Sequence, residues 1–154
     1  DIYGPSLPRM LGIADSGQPP IEAGKMVPPS AHGVVCMSMG FITGDQAAIL
    51  RGPMISKALT QMLRFTRWPD VDVLLVDMPP GTGDIALSMA QACPMNGVVI
   101  VTTPQEVAVM DARKCLAMFQ KLGVPVLGVV ENMSWYEAAG QKVALFGEGG
   151  GERL

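Results

Sequence analysis

Val73-Leu74-Leu75-Val76-Asp77-Met78-Pro79-Pro80-Gly81-Thr82-Gly83-Asp84 is the stretch on which the reading of this chain turns. Four consecutive apolar residues without alternation predict a strand buried on both faces, as in a parallel sheet, and Asp77 falls where that strand ends. A turn rich in proline and glycine follows, and Asp84 is placed to cap a helix carrying Ile85, Met89 and Ala92. Downstream, Gly97-Val98-Val99-Ile100-Val101 predicts the next buried strand. The spacing then predicts a helix over 105–122 that buries Ala112, Leu116 and Phe119 and is closed by Gly123, and a strand from Pro125 to Val130. Upstream, Pro53 suits a first helical turn and Ile55, Leu59 and Met62 share one face, so a helix is expected over 53–66, after a short strand at 34–39. Alternating strands and helices of this kind define an α/β fold: a doubly wound, mainly parallel sheet with helices on both faces.

Composition narrows the function classes. Among 154 residues, 11 basic side chains face 14 acidic ones, a net charge of −3 that argues against nucleic-acid binding through phosphate neutralisation. Hydrophobic residues are 49% and charged residues 16%, too apolar for disorder and enough for one core. Apolar runs such as Val124 to Val130 are too short to span a membrane, and no signal-like segment is seen, so a soluble cytoplasmic protein without a membrane partner is expected. Cys36, Cys93 and Cys115 are odd in number and include no C-x-x-C pair, which argues against a disulfide framework or a self-contained zinc site and fits a reducing cytosol. Residues 1–33 hold proline-rich turns without sustained periodicity and read as an extended connection ahead of an α/β core over 34–154.

In parallel α/β sheets ligands bind beyond the carboxyl ends of the strands. The residues in those places are Asp77 to Asp84, Thr102 to Glu106 and Glu131 to Ser134. An acid ending a buried strand suits Mg²⁺ beside phosphates, since a hard cation takes carboxylate and water ligands. Gly81 would let a backbone N–H approach a terminal phosphate where a Cβ would crowd it. Taken alone, Asp77 fits a solvated strand-end acid equally well. Two stretches mimic a phosphate loop and are not one. After Gly83, where a Walker A loop needs Lys and then Ser or Thr, stand Asp84 and Ile85, and Gly24-Lys25 has no glycine five positions before Gly24.

Five motifs carry a resemblance in order: Asp1-Ile2-Tyr3-Gly4-Pro5-Ser6-Leu7-Pro8, Arg51-Gly52-Pro53-Met54, Asp77 through Asp84, Glu131-Asn132-Met133-Ser134, and Phe146-Gly147-Glu148-Gly149-Gly150-Gly151. Together they resemble the Mrp/ApbC family of cytosolic P-loop ATPases, relatives of MinD and ParA that act as iron–sulfur cluster carriers or scaffolds. The resemblance runs the length of the chain. It implies catalytic roles for Asp1, near the attacking water, and for Asp77, the Walker B acid that holds Mg²⁺ through water. It assigns Gly81, Thr82, Gly83 and Asp84 to the switch loop that responds to the γ-phosphate, and Asn132 to reading the adenine edge, for which a side-chain amide offers one donor beside one acceptor.

The same resemblance implies ATP and Mg²⁺ as cofactors of a full-length parent, a homodimer, and iron–sulfur client proteins. Two departures bear on this. The family's Walker A loop, with its strand, precedes the position of Asp1, so the chain reads as one partial P-loop NTPase-like domain, 1–154, truncated at both ends and lacking the P-loop strand. The parent is expected to be an ATPase, and the chain alone to be inactive. Many members place C-x-x-C after the Glu-Asn-Met-Ser motif, whereas Trp135-Tyr136-Glu137-Ala138-Ala139-Gly140-Gln141-Lys142 has no cysteine, so the usual cluster ligands are absent. The alternative is a MinD/ParA-like dimerising adaptor or partitioning module without a cluster.

Other candidates read as structural. His32 is expected to be an exposed loop residue, and Met54, Met62, Met89, Met110 and Met118 to fill the core. Trp135-Tyr136 suits a lid, a dimer partner or core packing equally. A sheet without its central strand is expected to pair with another copy or to close the gap between 73–77 and 97–101.

Overall fold

The computed structural model describes residues 6–43, 52–79, 86, 87, 89, 90 and 93–154. These group into two compact units, one containing the described residues through Pro79 with Ala86, Leu87 and Met89, the other Ala90 and residues 93–154.

In the first unit, Pro8 stands at the start of a short helix α1 (Leu7–Met10), where its missing N–H costs nothing, and a 3₁₀ turn follows at Ala14–Ser16. Two minimal antiparallel hairpins come next: β1 (Ile21–Glu22) with β2 (Lys25–Met26), and β3 (Ser30–Ala31) with β4 (Val34–Val35). Their turns, Ala23-Gly24 and His32-Gly33, hold both central residues at positive φ, between 48° and 77°, the conformation a two-residue hairpin demands and glycine tolerates. The described part of the expected extended connection, 6–33, is therefore not uniformly extended. The expected strand over 34–39 is only Val34–Val35, because Met39 already begins helix α2 (Met39–Thr43). His32 is exposed in its turn, as expected.

Helix α3 (Gly52–Phe65) matches the expected span, and Ile55, Leu59 and Met62 are buried on one face. Its C-terminal end is tied to β2, where the Arg67 N–H donates to the Met26 carbonyl at 2.8 Å and the Arg67 guanidinium pairs with the Glu22 carboxylate. Met37, Met39, Phe41 and Met89 are buried as well, with Met89 only 1% exposed. Ala86, Leu87, Met89 and Ala90 are helical, in agreement with a helix after the Pro-Gly turn, whereas its expected cap Asp84 and the core positions Ile85 and Ala92 lie outside the described residues. Met54, in contrast, is half exposed, so core filling does not account for it.

Residues 73–77 form no strand. Val73 is 72% and Leu75 88% exposed. A run of apolar residues acquires strand structure by pairing its backbone on a neighbour, and no strand among the described residues pairs with this one.

In the second unit, β5 (Val98–Thr102) and β6 (Val126–Glu131) pair in parallel, with Val101 opposite Val130 and Thr102 opposite Glu131. Helix α4 (Glu106–Lys121) connects them, with an acid in its first turn and a base in its last, as the helix dipole favours. Gly123, at φ 69°, ends it and donates its N–H to the Gln120 carbonyl at 3.1 Å. Val109, Ala112 and Phe119 on α4 are buried, as are Ile100 and Thr102 on β5, whereas Leu116 is half-buried and Met110 half exposed. Burial on both faces does not hold for β5: Val99 and Val101, which alternate with Ile100 and Thr102, are 52% and 63% exposed. Their period-2 alternation puts them on the opposite face from the helix. A hairpin follows in this unit, β7 (Tyr136–Ala138) with β8 (Gln141–Val143), which turns at Ala139-Gly140, both at positive φ. The Lys142 ammonium lies 4.1 Å from the centre of the Trp135 ring.

Candidate functional site

The carboxyl ends of β5 and β6 lie side by side because the strands are parallel and in register. The Asn132 N–H extends the ladder by donating to the Thr102 carbonyl at 2.7 Å. Beyond it the chain turns sharply. Met133 takes φ 57°, its N–H donates to Asn132 Oδ1 at 2.9 Å, and the Ser134 hydroxyl donates to the Glu131 carboxylate at 2.8 Å. Asn132 is exposed. Next to this turn Thr103 Oγ1 is buried without a hydrogen-bond partner among the described residues, a polar atom that a bound ligand would satisfy.

Glu131 organises what lies around that turn. Its other carboxylate oxygen accepts the Gly151 N–H at 2.5 Å. This bond, the Ser134 hydroxyl and the N–H groups of Gly149 and Gly150 hold the carboxyl below its ordinary value, with partial burial opposing them. The glycines are required here. Gly149 sits at φ 69°, and a Cβ on Gly150 would lie 2.6 Å from Pro104 Cα. Arg153 then anchors the segment: it pairs with Glu106 at 2.6 Å, donates to the Pro104 carbonyl at 2.8 Å, and its own carbonyl accepts from Arg113 at 2.7 Å. The Gly-rich segment is thereby fastened across the end of β6 and the loop after β5. Beside it lies an open cleft of about 390 Å³ lined by Val129, Glu131, Gly149, Gly151 and Glu152, a size suited to a small ligand.

Asp77 belongs to the first unit. It is exposed at the end of the 73–77 segment, beside an apolar pocket formed by Met37, Leu59, Met62, Trp68 and Met89. Asp1, Gly81, Thr82, Gly83 and Asp84 lie outside the described residues. Cys36 is buried, and burial pushes its thiol and that of Cys115 up. Among the described residues no group of three His, Cys, Asp or Glu is gathered for a metal, and no helix is long and apolar enough to cross a membrane.

The clamp of Glu131 on Gly149–Gly151 is absent from the sequence-based expectations. Both ends stand in quoted motifs, and the one available signal is an acid at a strand end with a glycine run on the same chain. Nothing in the spacing links the two.

The fold is that of the P-loop nucleotide-binding proteins: a nucleotide-binding protein from Archaeoglobus fulgidus, solved in complex with ADP, superimposes with a TM-score of 0.79 at 33% identity, over 97% of this chain and 59% of that one. Within that class the chain belongs to the ParA family described as NUBPL iron-transfer P-loop NTPases, which matches residues 1–154. Proteins named iron–sulfur cluster carrier protein from Pseudomonas fragi and Salmonella typhimurium are 54% and 51% identical over 100% of the chain, covering 55% and 42% of their own lengths. The chain thus spans about half the length of the curated relatives it matches.

Proposed function

We propose that the protein to which these residues belong is a cytoplasmic, homodimeric ATPase that carries iron–sulfur clusters to client proteins. The observation that carries the reading is the polar turn Glu131–Ser134 at the adjoining ends of two parallel strands, with Asn132 presenting an amide at the place where α/β folds take their ligands. Asn132 reads the adenine edge, and residues 81–84 form the loop that senses the terminal phosphate. Asp1 assists near the attacking water, and Asp77 holds Mg²⁺. An exposed carboxylate with hard oxygen donors fits Mg²⁺, which is held by one or two carboxylates together with phosphate oxygens and supplies charge neutralisation when bound. Residues 1–154 form one domain in this reading, a partial one, since the Walker A loop with its lysines is not among them.

Names of relatives support the cluster as cargo. The thiols of this chain do not favour the usual ligand set: Cys36 is buried, and the stretch 135–142 is a hairpin closed by Trp135 and Lys142 rather than by cysteines. That observation favours a second reading, a dimerising adaptor that uses nucleotide state without a cluster. Calorimetric titration of Mg-ATP into this chain, and into a form extended upstream to include a Walker A loop, tests the nucleotide site. Binding only by the extended form is expected, and comparable binding by both overturns the assignment of phosphate contacts. Anaerobic reconstitution of the extended form with iron and sulfide separates the two readings, since a bound cluster gives charge-transfer absorbance in the visible and an adaptor gives none.

A further inference from the structure

We infer that the segment from Asp72 to Asp77 is a self-association edge, along which a second copy of this chain pairs antiparallel about a two-fold axis. Val73 then stands opposite the partner's Val76, Leu74 opposite the partner's Leu75, and Asp72 opposite the partner's Asp77. The inference concerns the chain of 154 residues and does not rest on the nucleotide reading.

Three observations carry it. Asp72-Val73-Leu74-Leu75-Val76-Asp77 reads the same in both directions, so one two-fold register sets each residue against an identical one. Its backbone takes part in no strand pairing and no backbone–backbone hydrogen bond among the described residues, which leaves a row of donors and acceptors open to a partner. Exposure along it alternates: Val73 and Leu75 are 72% and 88% exposed, Leu74 and Val76 41% and 36%. The better-covered pair lines the apolar pocket with Met37, Leu59, Met62 and Met89, so the chain covers one face of the segment and leaves the other bare.

That asymmetry sets the register. Directly opposed residues of an antiparallel pair share one face of the ribbon. Setting Val73 against the partner's Val76 therefore brings the bare Val73 and Leu75 of each copy onto the face that carries the partner's pocket. Both faces of the ribbon are then covered, one by each copy, which is the environment that four apolar residues without alternation require. A slip of one residue would put both pockets on the same face and leave the bare side chains of both copies in water. Charge opposes the pairing at its ends, where the exposed carboxylates of Asp72 and the partner's Asp77 meet with like sign.

Sedimentation equilibrium of the chain tests the inference, at concentrations up to about 100 µM so that micromolar affinities are populated. A monomer–dimer equilibrium is expected. Leu75→Lys, at a position whose side chain the fold leaves in solvent, should weaken the dimer by at least about 10-fold with the far-UV circular dichroism unchanged. Asp72→Lys replaces two like-charge contacts by two ion pairs and should tighten the dimer about 10-fold. Adding Asp77→Lys restores like charges at both ends and should return the affinity to about the wild-type level. A chain that stays monomeric, a dimer indifferent to Leu75→Lys, or an assembly larger than a dimer overturns the inference. So does a double variant that associates as tightly as Asp72→Lys or more so, because a general loss of negative charge produces that order without the register.

Discussion

Glu131 and Gly151, twenty positions apart in the chain, meet through a single carboxylate–amide bond of 2.5 Å that fastens the Gly-rich segment to the end of β6. The bond is charge-assisted and shares its acceptor with the N–H groups of Gly149 and Gly150, so the carboxylate acts as the anion in a small nest of backbone donors.

That arrangement makes the segment sensitive to acid. The Glu131 carboxyl is held below its ordinary 4.5, first by Gly151 and then by Ser134. A depressed folded-state pKa adds stability that is fully present above the unfolded value and is lost as pH falls from about 4.5 through the folded value. The difference in thermal midpoint between the wild-type chain and Glu131→Gln should therefore be constant from pH 6 to 8 and narrow below about 4.5. A difference that stays unchanged into acid would remove the carboxylate from the clamp.

Glycine at 150 and glycine at 97 should answer differently to a methyl group. At Gly150 the new Cβ meets Pro104 backbone at 2.6 Å, which cannot yield without shifting the loop after β5. At Gly97 it meets the Leu127 side chain at 2.5 Å, and Leu127 is 68% exposed and free to rotate away. Gly150→Ala is expected to cost about 1–3 kcal/mol, in the range of overpacking, and Gly97→Ala clearly less. Urea unfolding of both variants measures the contrast, and equal costs would contradict it.

The helical faces give a second stability test. Leu59→Ala in α3 and Phe119→Ala in α4 remove side chains that are 6% and 4% exposed and should cost about 2–5 kcal/mol each through lost burial and the cavity left behind. Met54→Ala, at a position 53% exposed on α3, should stay within about 0.5 kcal/mol. Denaturant midpoints that rank Met54 with Leu59 would refute the assignment of faces.

Asp77→Ala in the full-length protein is expected to lower Mg²⁺-dependent ATP turnover by roughly 10–100-fold, the scale seen when a group that holds or orients a metal is lost. Turnover at the wild-type rate would sink the proposed role. Asn132→Ala should act on the KM for ATP instead, since a base contact is formed equally in ground state and transition state.

Local periodicity was enough to read α3, α4 and the β5–α4–β6 succession from the residues. Ile55, Leu59 and Met62 recur at helical spacing and are buried together, and Gly123 ends α4 at a positive φ that few other residues accept. These are properties of a short window of chain, where the pattern and the structure share one cause. The short hairpins at Ala23-Gly24 and His32-Gly33 escaped notice because two-residue strands have no period to detect, although a residue followed by glycine is the chemistry such turns need.

Pairing is a different matter. Val73 to Val76 reads as a buried strand by composition, yet it is exposed and without a ladder, because strand structure depends on a neighbour that no local pattern specifies. β5 likewise reads as apolar on both sides, while α4 covers one face and leaves Val99 and Val101 uncovered. The family, the strand ends and the acid and amide at 131 and 132 were legible because motif identity and order are carried by the residues themselves. The clamp joining Glu131 to Gly149–Gly151 was not, because a hydrogen bond between segments twenty residues apart exists only once β6, the loop after β5 and the glycine turn have been brought together in three dimensions.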